Sequence, residues 1–304
     1  MTACPACGGG DSRLAFAGLT DRLTDEPGAW DLRVCQGCGL GFLDPMVPIE
    51  EIGRYYQDNF PSHGVEPSAP GRLKRLVRAA LLAPYTWRWG PPRAAPEPFG
   101  GGRMLDIGCG VGLTLRQFQA RGWQVHGIDM SARAVAAARR NLPGATIEQA
   151  WIHEWEPPGP VDVITLFHVL EHVPEPYGLL AKCRQWLAPG GRLILEVPDR
   201  SGFEARLFGR YWYGLEVPRH YLHFSPASLR FTLERAGFRV AAMRPAFFCS
   251  TLSFSLLVLL RALTGRPIAR DRLERLIYHA LYLPASIAYA CGNSGVTEAV
   301  AEPA

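Results

Sequence analysis

The sequence predicts an α/β fold, a doubly wound and mostly parallel sheet, and three observations carry that expectation. After residue 101, short apolar runs alternate with segments of helical period at the spacing of strand-helix-strand units. A glycine-rich turn, "LDIGCGVG", follows the first of those runs. Ahead of it, four cysteines stand in two C-x2-C pairs, the mark of a small separate module.

Composition sets outer bounds. The chain has 304 residues, 48% hydrophobic and 20% charged, as a globular protein with a sizeable core does. Its net charge of +4 is modest, and the one concentrated basic stretch, "GRLKRLVRAALL", equally fits an amphipathic surface helix, which argues against a nucleic-acid binder. The opening "MTACPACGGG" lacks a charged segment followed by an apolar run, so no signal peptide is expected and the cytoplasm is the expected compartment. Eight cysteines in that setting point to metal or buried thiols rather than disulfides.

Residues 1–60 are expected to form a zinc ribbon. Cys4 and Cys7 in "CPAC" and Cys35 and Cys38 in "CQGC" make two knuckles 27 residues apart, each followed by glycine. Such knuckles suit a tetrahedral zinc site, and four sulfurs leave no position for water or substrate, so the metal is structural. Residues 61–100, rich in proline and glycine, read as a linker carrying one amphipathic helix.

Residues 101–304 then build the sheet. "RMLDI" is a first strand, "LTLRQFQARG" a helix ended by Gly122, and "WQVHGIDM" a second strand. "SARAVAAARRNL" is a helix capped by Ser131 and stopped at Pro143. "ATIEQA" and "VDVITLF" are the third and fourth strands, "EPYGLLAKCRQWLAPGG" a helix with a glycine stop, and "RLILEVP" the fifth strand. "SPASLRFTLERAGF" is a helix with Ser225 as N-cap and Pro226 in its first position, and "RVAAMRPAFF" and "GVTEAVAE" complete seven strands. Before the last strand lies a helical insertion, about residues 251–292, of two apolar stretches that fall short of the ~20 residues needed to span a bilayer. They read as a cover over the site or as a peripheral contact with a membrane or lipid-linked substrate.

The glycine-rich turn lets the backbone approach a ligand, and the helix start after it offers free amide donors. Asp129 closes the second strand 23 residues after Asp106, where a carboxylate accepts ribose hydroxyls, a feature shared with dinucleotide sites. Asp106 tells against a pyrophosphate, which it would repel, and for a cationic amino-acid ligand. In this order "LDIGCGVG", "GIDMS" and "FHVLEHVPEP" resemble motif I, the second-strand acid and the post-fourth-strand motif of class I S-adenosylmethionine-dependent methyltransferases, over roughly residues 100–250. The resemblance implies a Rossmann-like sheet, S-adenosylmethionine as cofactor and methyl transfer as the activity. It places Asp106, Gly108, Cys109 and Gly110 at the methionine end, Asp129 at the ribose, Met130 at the adenine face, and Phe167 and His168 beneath the methyl group. Gln149 and Ala150 stand where the family usually carries a Gly-Asp pair reaching the adenine amine, so that acid is missing here.

"HVLEH", from His168 to His172, also spells an inverted zinc-protease motif, but it straddles a strand exit rather than lying along one helix, so both histidines read as pocket wall or helix-start contacts. A cysteine ribbon, "YYQDNF", and a loop ending "WYGLEVPRHYLHFS" are together similar to a group of small-molecule methyltransferases of sugar, cell-envelope and natural-product pathways. Methyl transfer is an in-line displacement that needs an aligned nucleophile and a nearby base. His220 or His223, with Tyr221 between them, is the expected catalytic group of that loop; the alternative is that both histidines only hold the loop in place. The expected acceptor is an O or C nucleophile of a small molecule. Two other readings stay open: a nucleic-acid methyltransferase guided by the ribbon, although residues 1–60 carry few basic side chains, and a scaffold that binds the cofactor without turnover.

Overall fold

The computed structural model describes residues 2–56, 72–91, 102–152, 154–265 and 272–304. Its first strands are β1 (Ser12–Leu19), β2 (Trp30–Cys35) and β3 (Gly41–Asp44), an antiparallel meander. The alternation in "WDLRVC" buries Trp30, Leu32 and Val34 on one face. Sequence inspection found the knuckles that flank this meander but not its strands. A 3-10 turn over Ile52–Tyr55 follows, then α1 (Arg72–Trp89). Residues 57–60 of the tyrosine stretch, and the linker on either side of α1, lie outside the described residues.

The larger sheet starts with β4 (Arg103–Ile107), α2 (Leu113–Gln119), β5 (Gln124–Asp129), α3 (Ala132–Asn141) and β6 (Thr146–Gln149). It continues with β7 (Val161–Phe167), α4 (Pro176–Trp186), β8 (Leu187–Pro198) and α5 (Phe203–Phe208). A short β9 (Leu222–His223), α6 (Pro226–Arg235), β10 (Phe238–Pro245), α7 (Ser250–Thr264), α8 (Arg272–Ala290) and β11 (Val296–Pro303) complete the chain. Seven strands pair in the order β10-β11-β8-β7-β4-β5-β6, parallel from β8 to β6 and antiparallel at β11 and β10. This is the doubly wound, mostly parallel sheet that the alternating pattern predicts. Its middle strands are sealed on both faces, with Met104, Leu105, Val163, Ile164 and Leu166 fully buried, which is why they read as unbroken apolar runs. Strand order reverses between β4 and β7, and the crevice of such a sheet opens there, at the carboxyl ends of the strands.

One boundary differs from expectation. The helix expected to run to a glycine stop ends at Trp186, and the chain is already extended at Leu187, which pairs with Val161. Pro189 accounts for this, because its ring disfavours helical backbone at Ala188.

β9 belongs to the other sheet. It extends the meander to the order β1-β2-β3-β9, pairing Gly41 with His223 and Phe42 with Leu222, while Leu43 N–H donates to Tyr221 O at 3.1 Å. A single apolar cluster therefore holds Leu32, Phe42 and Ile52 of the amino-terminal region together with Leu170, Leu180, Tyr221 and Phe224. At the far end α1 lies along α8, with Arg78 Nε donating to the Tyr282 hydroxyl at 3.0 Å and Trp89 Nε1 to Tyr289 O at 3.0 Å. Among the described residues no helix is long and apolar enough to cross a membrane.

Candidate active site

The four knuckle cysteines converge. Cys4 Sγ lies 3.5 Å from Cys38 Sγ and Cys7 Sγ 3.4 Å from Cys35 Sγ, and all four sulfurs fall within 4.8 Å of one another. A zinc ion with Zn–S bonds of about 2.3 Å spaces its sulfurs about 3.8 Å apart, so the donor set fits it. Gly8 and Gly39, both at φ +75°, make the left-handed turn that each knuckle needs, and their amides close back onto the Cys4 and Cys35 carbonyls.

At the carboxyl edge of the larger sheet, Asp106 is buried and its Oδ1 accepts a hydrogen bond from Thr165 Oγ1 at 2.5 Å, which ties the tip of β4 to β7. Gly108 follows at φ +71°, where a Cβ would stand 2.7 Å from Val169 Cγ2, so only glycine fits beneath the segment after β7. Asp129 spans the next turn: its Oδ2 accepts from Gly110 N–H at 2.8 Å and its Oδ1 from Ser131 N–H at 2.8 Å. Two backbone amides thus fix the carboxylate at the strand end, while the space over Gly110 is open, with nothing within 4 Å of a Cβ built there. Met130, Gln149 and Ala150 gather beside it, Gln149 Nε2 donating to Met130 O at 3.2 Å and Ala150 N–H to Asp129 O at 3.1 Å. Cys109 departs from the set. Its side chain packs into the core close to Gly127 with Sγ donating back to Gly110 O at 3.8 Å, and burial pushes its thiol pKa up.

Beyond β7, Phe167 is half-buried and His168 takes a left-handed backbone at φ +58°, rare for a residue with a side chain. Its ring lies 4.6 Å from that of Phe248, and its Nδ1 is 3.2 Å from Glu171 Oε1. Glu171 and His172 sit in a 3-10 turn, and the His172 ring is 4.5 Å from the His220 ring. His172 Nδ1 lies 3.0 Å from both Arg219 O and the Tyr56 hydroxyl; a carbonyl only accepts, so Nδ1 carries the proton. By the same logic His220 donates from Nδ1 to Gly214 O at 2.9 Å, and His223 from Nε2 to Leu215 O at 3.0 Å. Burial pushes the pKa of His172 and His220 down to about 4 and that of His223 to about 3, so all three are neutral at neutral pH.

The three loop residues part company. His220 faces the cluster after β7. His223 lies in β9, its Cβ 2.9 Å from a Cβ built on Gly41, locked into the ribbon sheet. Tyr221 is fully buried, with Glu50 and Tyr55 as electrostatic neighbours, and burial pushes its hydroxyl up to about 12. Sequence inspection did not single out Glu171, Glu216, Arg219 or Asp21. Arg219, fully buried, forms a two-pronged bond to Asp21 at 2.9 Å on each arm and reaches Glu216 Oε1 at 3.3 Å. The i, i+3, i+4 spacing of Glu216, Arg219 and His220 was the available signal. Tyr55 packs edge-on against Trp30, while Tyr56 reaches His172.

A Rossmann-like α/β domain with a glycine-rich turn and two acids at adjacent strand tips defines a nucleotide-type cofactor site at the switch point. The methyltransferase domain family matches residues 79–242, more than half of the chain, and the chain belongs to that family. A ubiquinone biosynthesis O-methyltransferase of Xanthomonas euvesicatoria pv. vesicatoria is 32% identical over 152 residues, covering 46% of this chain and 64% of that protein. The protein of the same name from Aromatoleum aromaticum is 38% identical over 114 residues, covering 36% of this chain and 48% of that one. The chain therefore spans about half to two thirds of the length of these curated relatives. A solved S-adenosylmethionine dependent methyltransferase from Mesorhizobium loti superposes with a TM-score of 0.48 at 20% identity, covering 73% of this chain and 95% of that one.

Proposed function

We propose that this protein transfers the methyl group of S-adenosylmethionine to a hydroxyl of a small molecule. The observation that carries the reading is the pair of fixed acids at the switch point, Asp106 and Asp129, with open space over Gly110 between them. The Asp129 carboxylate, held by two amides, keeps lone pairs for ribose hydroxyls, and Asp106 suits the ammonium of the methionine end. The bound sulfonium supplies an electrophilic methyl and leaves as a neutral thioether. Oxygen as the acceptor follows the curated relatives, which are named as O-methyltransferases.

On the acceptor side we assign His220. With its proton on Nδ1, its Nε2 carries the lone pair, 3.7 Å from Glu216 Oε2, and can take a proton or a Lewis acid. Tyr221 and His223 hold the loop to the ribbon, whose cysteines bind a structural zinc. A shallow cleft lined by Leu19, Arg22, Arg210, Trp212, Tyr213 and Glu216 among others lies between the ribbon and this loop and is the proposed entry for the acceptor.

Calorimetry with S-adenosylhomocysteine tests the cofactor half. Wild type is expected to bind, and Asp129→Ala to bind at least about tenfold more weakly, because hydrogen bonds to a charged group are lost. Turnover of S-adenosylmethionine with phenol, catechol and sugar acceptors tests the activity, and His220→Gln should lose about 100-fold or more while keeping its affinity for S-adenosylhomocysteine. Tight binding with no turnover on any acceptor would mean a cofactor-binding scaffold instead.

A further inference from the structure

We propose that Glu171, His172 and His220 form a second metal site, for a divalent transition cation on the acceptor side of the pocket. The inference deepens the reading of His220 as the group that acts on the acceptor, and it rests on that reading for its role though not for its existence. One ligand atom from each of the three residues lies within 4.8 Å of the other two. Each ligand is also oriented from behind. His172 gives its Nδ1 proton to Arg219 O and His220 gives its own to Gly214 O, so Nε2 of each ring carries the lone pair for a ligand, that of His220 with Glu216 Oε2 at 3.7 Å beside it. The carboxylate is aimed likewise: Glu171 Oε1 takes the bond from His168 Nδ1, while Glu171 Oε2, fully buried, has no hydrogen-bond partner among the described residues. Imidazoles anchored through a backbone carbonyl, and a carboxylate held by one oxygen, are the outer support that metal ligands characteristically have.

Charge points the same way. Glu171 and Glu216 are like-charged neighbours in this buried cluster, the Arg219 guanidinium that reaches Glu216 is already paired with Asp21, and a dication would offset the repulsion. Two imidazoles and one carboxylate suit zinc, manganese(II) or iron(II), and three protein ligands leave a position for an outside oxygen, unlike the four sulfurs of the ribbon. The "HVLEH" letters do contribute two ligands, Glu171 and His172, but from a 3-10 turn, with the third ligand from the loop.

A cation here polarises the acceptor hydroxyl and lowers its pKa. The hydroxyl proton leaves to solvent, the oxygen electron pair forms the new O–C bond, and the C–S bond breaks with its electrons passing to sulfur. The products are the methyl ether, the neutral thioether and one proton.

Cobalt(II) titration of the metal-stripped full-length protein tests the site independently of turnover. Wild type should take up two equivalents, one with the sulfur-to-metal charge-transfer absorption of the cysteine site and one with ligand-field bands alone. Glu171→Gln and His220→Gln should each lose the second equivalent and keep the first, whose charge-transfer band also reports that the ribbon is folded. Anomalous scattering from cobalt-soaked wild-type crystals should place an ion about 2.0–2.2 Å from Glu171 and both imidazoles. Uptake of one thiolate-bound equivalent by wild type overturns the site, as does a second equivalent that both variants retain. Methyl transfer at full rate by protein holding only the ribbon metal would refute the role assigned to this cation and leave the proposed function standing; a second bound ion without turnover on any acceptor would do the reverse.

Discussion

Glu204, in α5, is fully buried and accepts a hydrogen bond from the Tyr289 hydroxyl of α8, while its Oε2 lies against the backbone of Gly295. Burial pushes its pKa up from an ordinary 4.5 to about 7. The folded value lies above the unfolded one, so the stability linked to this proton is fully present below about pH 4.5 and is lost as pH rises through about 7, a change of about 3 kcal/mol. Glu204→Gln removes the ionisation. Its melting temperature should exceed that of wild type near pH 8 and converge with it near pH 5; parallel curves would show that Glu204 does not titrate in this window. At this scale the sequence was legible where chemistry is local. Asp106, Gly108 and Asp129 could be picked out because a strand tip and a turn prescribe their positions. His220 and His223 could not be told apart, since three residues of spacing do not reveal that one packs on Gly41 and the other on His172. Cys109 likewise sits in a ligand-binding motif yet turns its thiol inward.

Among the elements, α6 shows how completely a local signal can specify structure. Ser225 accepts from Ser228 N–H at 3.3 Å and Pro226 occupies the first turn, as the sequence predicts, and Ser228 Oγ accepts from Ser225 N–H at 2.9 Å to complete a capping box. Ser225→Ala should cost about 1 kcal/mol by denaturant unfolding; a cost near zero would show that packing alone holds the helix start. The strands of the larger sheet were legible for the same reason, as runs bounded by turn residues. Two of the ribbon strands were not, because β3 is only four residues long and β9 two, too short for any periodicity to register. What fixes β9 is pairing between residues about 180 positions apart, Gly41 with His223 and Phe42 with Leu222, which no local pattern encodes.

Over the whole molecule, the link with most consequence joins Asp21 to Arg219 across 198 residues. Both side chains are fully buried, and the guanidinium holds the Asp21 carboxyl below its usual range in spite of burial. Asp21→Asn leaves a buried guanidinium short of its partner and should destabilise by about 3–5 kcal/mol. Hydrogen exchange should show the loss concentrated at residues 216–223, and uniform loss across the larger sheet would count against a local clamp. The same coupling predicts that stripping the metal proposed for the ribbon lowers turnover more than it lowers affinity for S-adenosylhomocysteine, because the ribbon sheet pairs with the loop to which we assign the acceptor and not with the Asp129 turn. Equal losses in both would contradict it.

The fourth strand of the ribbon sheet is lent by the distant loop, so the amino-terminal module is not a detachable tag. A chimera that trades this ribbon for that of a homologue while retaining the native loop would mismatch an edge pairing and a buried ion pair at once. Productive exchanges should transplant residues 1–56 and 210–225 as a single discontinuous cassette, and recombination between related genes should preserve the same two blocks together.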